Sequence, residues 1–253
     1  MTIRQQPAAG VPIWIDLMTS DRDASVAFYT ELFGWTSDEP NPDFGGYSNF
    51  RLHGEEVAGL MTAEPGAPSD MWSVYLATPD APATLEAARN AGASVMVDAM
   101  AVGDLGTMAV VVDPGGAVIG MWQPGEHRGG VVATTNAPCH FELHTTSYDA
   151  VLPFYRDVFG WTISTAADEP GFRYSTYDVA DGENAGIMDA SVFGEGASNC
   201  WSVYFAADDV AATLARAVEL GGAVLHGPET TPYGVLATAT DATGALFKLR
   251  GDA

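Results

Sequence analysis

Residues 12–18, PIWIDLM, alternate in the period of a half-buried strand. A helix of about a dozen residues is predicted next. Ser20 or Asp21 can cap its start, and Val26, Phe28, Tyr29, Leu32 and Phe33 form one apolar stripe. Gly34 suits the left-handed residue that ends a helix. Short strands follow near 47–52 and 56–61, separated by the turn-prone HGEE. The order then restarts with a strand WSVYLA at 72–77, a helix ATLEAARNAG, and strands near 94–102, 107–113 and 117–123. One pass reads β-α-β-β-β, so residues 11–124 hold two of them.

The same rhythm returns in the second half. WIDLMTSDRDASVAFYTELFGWT (14–36) aligns without a gap on HFELHTTSYDAVLPFYRDVFGWT (140–162), 126 residues later. WSVYLATPDAPATL from Trp72 matches WSVYFAADDVAATL from Trp201, and VVDPGGAVIGMW (111–122) matches ATDATGALFKLR (239–250). Three blocks in one order at nearly constant offset mean a duplicated domain. The expected organisation is a flexible N-terminus over 1–10, a first domain over 11–124, a Pro/Gly-rich linker over 125–136 and a second domain over 137–251.

Composition narrows the function classes. Hydrophobic residues make up 47% of the 253, enough for real cores. No apolar run approaches the roughly 20 residues that span a bilayer. The start of the chain lacks the apolar region of a signal peptide. Two cysteines, Cys139 and Cys200, make no disulfide framework. A cytoplasmic location is the simplest expectation. The net charge is −23, with nine arginines and a single lysine, Lys248. That excludes a protein held on nucleic-acid phosphates and argues against an anionic membrane surface. The expected partner is a small molecule, and the chain is expected to act as a monomeric pseudo-dimer or a homodimer.

The strand followed by D-x-x-x-S-x-x-F-Y, then FGW, then a late D-P-x-G before the last strand resembles the vicinal oxygen chelate superfamily. This is the glyoxalase, bleomycin-resistance and extradiol-dioxygenase group. The likeness covers nearly the whole chain as two tandem domains, in the manner of actinobacterial two-domain glyoxalase-like proteins. It implies an α+β fold in which paired βαβββ units build cup-shaped mixed sheets flanked by helices. It implies little about function, because this fold hosts lyases, isomerases, dioxygenases, transferases and drug-binding proteins.

In metal-dependent members of that superfamily the ligands are His or Gln, then His, then Glu. Carried over, those positions fall on Trp14, Ser73 and Gly120 in the first domain and on His140, Ser202 and Lys248 in the second. The first set has no useful ligand, and in the second an ammonium would repel the ion. The expectation is therefore no metal and no cofactor. A rearranged site from His140, Glu142, His144 or Cys200 is the alternative.

Alternation places Trp14, Asp16 and Met18 on one strand face, and His140, Glu142 and His144 on the matching face of the repeat. Trp14, Trp72, Tyr75 and Trp122 fall near expected cup or rim positions and suggest an aromatic wall in the first cup, with Asp16 and Ser73 beside it. His140, Glu142 and Lys248 meet in the second cup, with Ser202 and Arg250 near them. They could do acid–base chemistry, or Glu142 and Lys248 could simply pair over a core histidine. Asp16 and Glu142 share one duplicated position, which suggests a common structural job such as accepting backbone N–H groups. Trp72 and Trp201, also duplicated, are expected to pack sheet against helix. His53, His127 and His226 are expected at the surface.

Three functions follow. The first is a metal-independent protein binding a small, aromatic or metabolite-like ligand in a cup. The second is a metal-free lyase, isomerase or hydrolase using Glu142 or His140 as base and Lys248 to stabilise an oxyanion. The third is a metal-dependent glyoxalase or dioxygenase, against which the ligand count argues. Closed cups serving only protein contacts would show no pocket at all.

Overall fold

The computed structural model describes residues 2–3, 8–178, 184–194 and 196–252. In the first repeat, strand β2 (Pro12–Thr19) leads to helix α1 (Arg22–Phe33), β3 (Thr36–Ser37), β4 (Ser48–Leu52) and β5 (Glu55–Thr62), where β1 is the short Thr2–Ile3. The second unit is β6 (Met71–Ala77), α2 (Ala81–Asn90), β7 (Ser94–Val102), β8 (Gly106–Val112) and β9 (Val118–Pro124). After β10 (Val131–Val132) the second repeat runs β11 (Pro138–Thr145), α3 (Tyr148–Phe159), β12 (Ile163–Glu169), β13 (Phe172–Asp178) and β14 (Asn184–Asp189). It ends with β15 (Cys200–Ala206), α4 (Val210–Glu219), β16 (Ala223–Thr231), β17 (Gly234–Thr240) and β18 (Leu246–Gly251).

Each repeat builds one eight-stranded mixed sheet, in the orders β3-β4-β5-β2-β6-β9-β8-β7 and β12-β13-β14-β11-β15-β18-β17-β16. The first strands of the two units pair antiparallel at the centre, and each runs parallel to a later strand of its own unit. The α+β architecture expected from the repeats is thus present twice. None of the helices among the described residues is long and apolar enough to cross a membrane.

Local chemistry explains the element ends. Asp21 accepts from the Ala24 backbone N–H at the start of α1, and Gly34 closes it at φ 69°. Asp80 and Asp209 cap α2 and α4 in the same way. On α1, Phe28, Tyr29 and Phe33 are fully buried, whereas Val26 and Leu32 lie half-buried at the stripe's edge.

The two repeats share one core. Helix α1 lies against α4 of the other repeat, with Glu31 pairing to Arg216 at 2.8 Å, and Phe28 and Phe33 meet Phe247. Helix α2 lies against α3. The duplicated aromatic residues bind the repeats together. Trp72 donates to the Tyr29 hydroxyl at 3.0 Å, and Tyr29 donates to Asp241 of the second repeat at 3.0 Å. The mirror set is Trp201 to Tyr155 at 3.0 Å and Tyr155 to Asp113 at 2.8 Å. Trp72 and Trp201 therefore join sheet to helix, as expected. The helices and this core occupy one face of each sheet, and the opposite face forms the cup.

The segment between the repeats is more structured than its composition suggests. Val131 and Val132 pair with Ile3 and Thr2 of the N-terminal segment. The backbone at Gly129 and Gly130 lies so close to Ile13 and Trp14 that a Cβ there would sit within 2.9 Å of them. This brings His127 into the first cup, described next.

Candidate functional site

The first cup encloses a cavity of about 900 Å³, within the size range that holds drug-like ligands. The central register sets its floor. Trp14 on β2 lies opposite Tyr75 on β6, which lies beside Gly120 on β9, and Asp16 lies opposite Ser73. Gly120 is required there, because a Cβ would meet the Tyr75 ring at 2.2 Å. Gly59 on β5 does the same for Tyr47, whose hydroxyl would lie 1.7 Å from a Cβ. The two glycines thus make room for the two tyrosines, and both tyrosines line the cavity.

The indole N–H groups are already used. Trp14 donates to the Tyr47 hydroxyl at 2.8 Å, and Trp122 donates to the His127 carbonyl at 3.0 Å. The imidazole of His127 sits by both indoles, 4.4 Å from Trp14 and 5.5 Å from Trp122 between ring centres, with its plane steeply inclined to each, at 82° and 76°. Its Nδ1 pairs with Glu56 at 3.0 Å. Its Nε2 is shut off from solvent and has no hydrogen-bond partner among the described residues. The expectation of a surface His127 is corrected: the chain after β9 folds back over Trp14 and carries the ring into the cup wall. Composition could not signal this, because it is set by the tertiary path of the linker.

Asp16 lines the same cavity. Burial pushes its carboxyl up to about 6, against opposing hydrogen bonds from Tyr75 and Ser73. The partners of Asp16 and Glu142 are side chains, so the expected role of accepting backbone N–H groups is corrected. The backbone acceptors are instead Asp113 and Asp241, which each take N–H groups of the turn that follows them.

The second cup differs at every non-duplicated position. His140 replaces Trp14, His144 replaces Met18, Lys248 replaces Gly120 and Arg250 replaces Trp122. The Lys248 ammonium lies 2.7 Å from Glu142, 2.7 Å from His144 Nε2 and 3.1 Å from the Tyr204 hydroxyl. Glu142 also accepts from Tyr204 at 2.9 Å and lies 2.6 Å from His144 Nε2. Burial alone would raise the Glu142 carboxyl, but the charge of Lys248 and the His144 contact outweigh it and hold it well below the usual carboxylate range. His140 Nε2 pairs with the Tyr174 hydroxyl at 3.0 Å, and Tyr174 lies over Gly186 as Tyr47 lies over Gly59. The structure therefore brings His140, Glu142 and Lys248 together, with Ser202 buried opposite Glu142. Arg250 is half-buried two residues beyond Lys248 on β18.

The side chains at the inherited ligand positions do not fit a divalent ion. Trp14, Ser73 and Gly120 offer no charged or imidazole donor, and in the second cup the Lys248 ammonium already engages both Glu142 and His144. Cys139 and Cys200 do not repair the set: burial pushes the Cys139 thiol up to about 12 and raises Cys200 as well, so neither is a thiolate near neutral pH. His53 is an exposed turn residue at φ 54°, and His226 is exposed and pairs with Glu229.

Comparison with known proteins decides the family. Residues 138–249 match the model of the glyoxalase/bleomycin resistance protein/dioxygenase superfamily, and residues 13–120 match a glyoxalase-like domain. The chain belongs to this superfamily. A relative from Mycobacterium bovis, named "Putative glyoxylase CFP32", is 39% identical over 98% of this chain and 97% of its own. The anthracycline biosynthesis protein DnrV of Streptomyces peucetius is 35% identical over 96% of this chain and 93% of its own. Among solved structures, the Mn(II)-bound glyoxalase from Novosphingobium aromaticivorans superposes with a TM-score of 0.67 at 17% identity, over 97% of this chain and 83% of that one. At that identity the likeness shows the fold. The two cups share one strand framework and differ from each other in side chains on it.

Two residues of the first cup escaped the sequence reading besides His127. Tyr47 and Gly59 have counterparts at Tyr174 and Gly186, in the repeated A-G-x-M and the tyrosine before it. That recurrence was the available signal.

Proposed function

We propose that the first cup binds a small molecule with a planar, apolar body against the cavity-lining surfaces of Trp14, Trp122, Tyr47 and Tyr75, and does so without a metal ion. The observation that carries this is the cavity of about 900 Å³ walled by these indoles, Tyr47 and Tyr75. With their N–H groups already bonded, the two indoles offer the cavity apolar aromatic surface, which suits flat rings. The side chains at the inherited ligand positions support the metal-free part. The name of the Streptomyces peucetius relative makes polycyclic aromatic compounds reasonable first ligands to try. Two free cysteines support a cytoplasmic setting, and the shared core between repeats supports a monomer that is its own pseudo-dimer.

The test is a tryptophan-fluorescence titration with acridine, a planar tricycle. Trp14→Ala and Trp122→Leu should each weaken binding by at least about tenfold, in line with loss of a large aromatic contact. Chelator should leave the affinity unchanged. Binding that survives both substitutions, or that requires added metal, contradicts the proposal.

A second reading rests on the cluster of Lys248, Glu142, His144 and Tyr204. It makes the second cup a metal-free acid–base site with Glu142 or His140 as base. The depressed Glu142 carboxyl makes it a weak base, so this reading ranks second. Turnover abolished by Glu142→Gln would reverse the ranking.

A further inference from the structure

The charge around the first cavity is one-sided. Asp16, Asp38, Glu39, Asp43, Glu56 and Glu126 line it, and among the described residues no lysine or arginine does. Arg51 pairs with Asp38 and Glu56 from outside the lining, at 2.9 and 3.1 Å. Among the described residues no arginine or lysine pairs with Asp16, Glu39, Asp43 or Glu126. A pocket meant for a neutral flat ring would gain nothing from this, because carboxylates near apolar surface cost solvation.

The aromatic residues point the same way. Trp14, Trp122, Tyr47 and Tyr75 all line the cavity, and both indole N–H groups donate to protein partners. A cation over an aromatic face is attracted by the ring quadrupole, most strongly where water is excluded. Asp16 lines the same cavity, on β2 opposite Ser73 and two residues from Trp14. The second cup shows the opposite bias: its non-duplicated positions carry His140, His144, Lys248 and Arg250. The two copies have separated in charge on one scaffold.

We infer that the first cup selects cationic ligands, taking a planar aromatic molecule that bears an ammonium or other fixed positive charge, with Asp16 as its counter-ion. This rests on the reading of the cup as an aromatic-ligand site and adds the charge class of the ligand. The side chain of Asp16 fits the task. Burial holds its carboxyl up to about 6, so it is ionised near neutral pH but poorly solvated, and a ligand cation would relieve that. Glu39, Asp43 and Glu126 add a long-range field that concentrates cations at the mouth.

The test is a charge series on one ring system: N-methylacridinium, acridine and acridine carboxylate, titrated at mildly alkaline pH, where acridine is neutral. N-methylacridinium is expected to bind at least about tenfold more tightly than acridine, with the carboxylate weakest. In Asp16→Asn the cation should lose about tenfold while acridine stays within about twofold. Added salt should weaken the cation and leave acridine unchanged, which gives a second readout on the unaltered protein should the variant fold poorly. Equal binding of all three probes without a differential salt effect overturns the charge inference and leaves the aromatic reading standing. Tighter binding of the carboxylate overturns it as well. Binding by none of the three contradicts both.

Discussion

The Tyr29 hydroxyl donates to the Asp241 carboxylate at 3.0 Å across 212 residues, from the helix of the first repeat to the turn before the last strand of the second. Tyr155 and Asp113 repeat the contact in the opposite sense at 2.8 Å. Two of the strongest duplicated motifs, the FY pair and the late Asp, are thus the two ends of one bond. Duplication kept both because each copy supplies the partner of the other.

Tyr29→Phe removes the donor to Asp241 and the acceptor of the Trp72 indole N–H at once. Leaving buried polar groups unpaired costs about 1–3 kcal/mol each. Urea denaturation should show a loss in that range. The variant with both Tyr29→Phe and Asp241→Asn should lose less than the sum of the singles, since they share one bond.

Lys248 and Glu142 are each only 7% exposed and face each other at 2.7 Å. Lys248→Met leaves a buried carboxylate without its cation and should cost about 3–5 kcal/mol. Adding Glu142→Gln should recover most of that loss. A second cup that tolerates Lys248→Met alone would mean that the ammonium does not compensate Glu142.

Asp16 gives a pH signature of the opposite sense to Glu142. Its folded value of about 6 lies above 3.8, so the folded chain holds a proton that the unfolded chain has released. Stability should fall as pH rises between these values and be flat above them. Asp16→Asn should remove the slope and stabilise the protein near neutral pH by up to about 3 kcal/mol. Tyr47, Tyr75, Glu56 and His127 stand around the same site and stay in place in both proteins, so the difference between the two curves reports Asp16. Glu142, held low, contributes stability that is lost only as pH falls well into the acid range. A stabilised Asp16→Asn that no longer prefers a cation would show a charge kept at a cost in stability.

Gly120→Ala forces Tyr75 off the floor of the first cup, since the new methyl would lie 2.2 Å from its ring. The expected loss is about 1–3 kcal/mol of stability together with weaker acridine binding. Gly34→Ala is the control: it has open space around its Cβ position, so it strains only the helix end at φ 69° and should leave binding intact.

The repeat made the fold readable. A gapless offset across helix, turn and strand carried the element order, the stop at Gly34 and the division into two domains, while the choice between Ser20 and Asp21 as cap was settled only by the structure, in favour of Asp21. The cup-facing set on the first strand of each repeat was also readable, because strand alternation alone puts Trp14 with Asp16 and His140 with Glu142. The path of the linker was not. His127 reaches the cup wall because glycines 129 and 130 let the backbone cross Ile13 and Trp14 closely, a contact that no local pattern encodes. The roles of Tyr47 and Gly59 were missed for a related reason: each makes sense only with the other, across adjacent strands.

The most direct measurement is the position of acridine in a crystal of the protein soaked or co-crystallised with it. The tricycle should lie in the first cup, in contact with the aromatic side chains that line it and near Asp16, with no metal between ring and protein. Density beside Lys248 in the second cup, or a ring bridged to the protein through a metal ion, would contradict it.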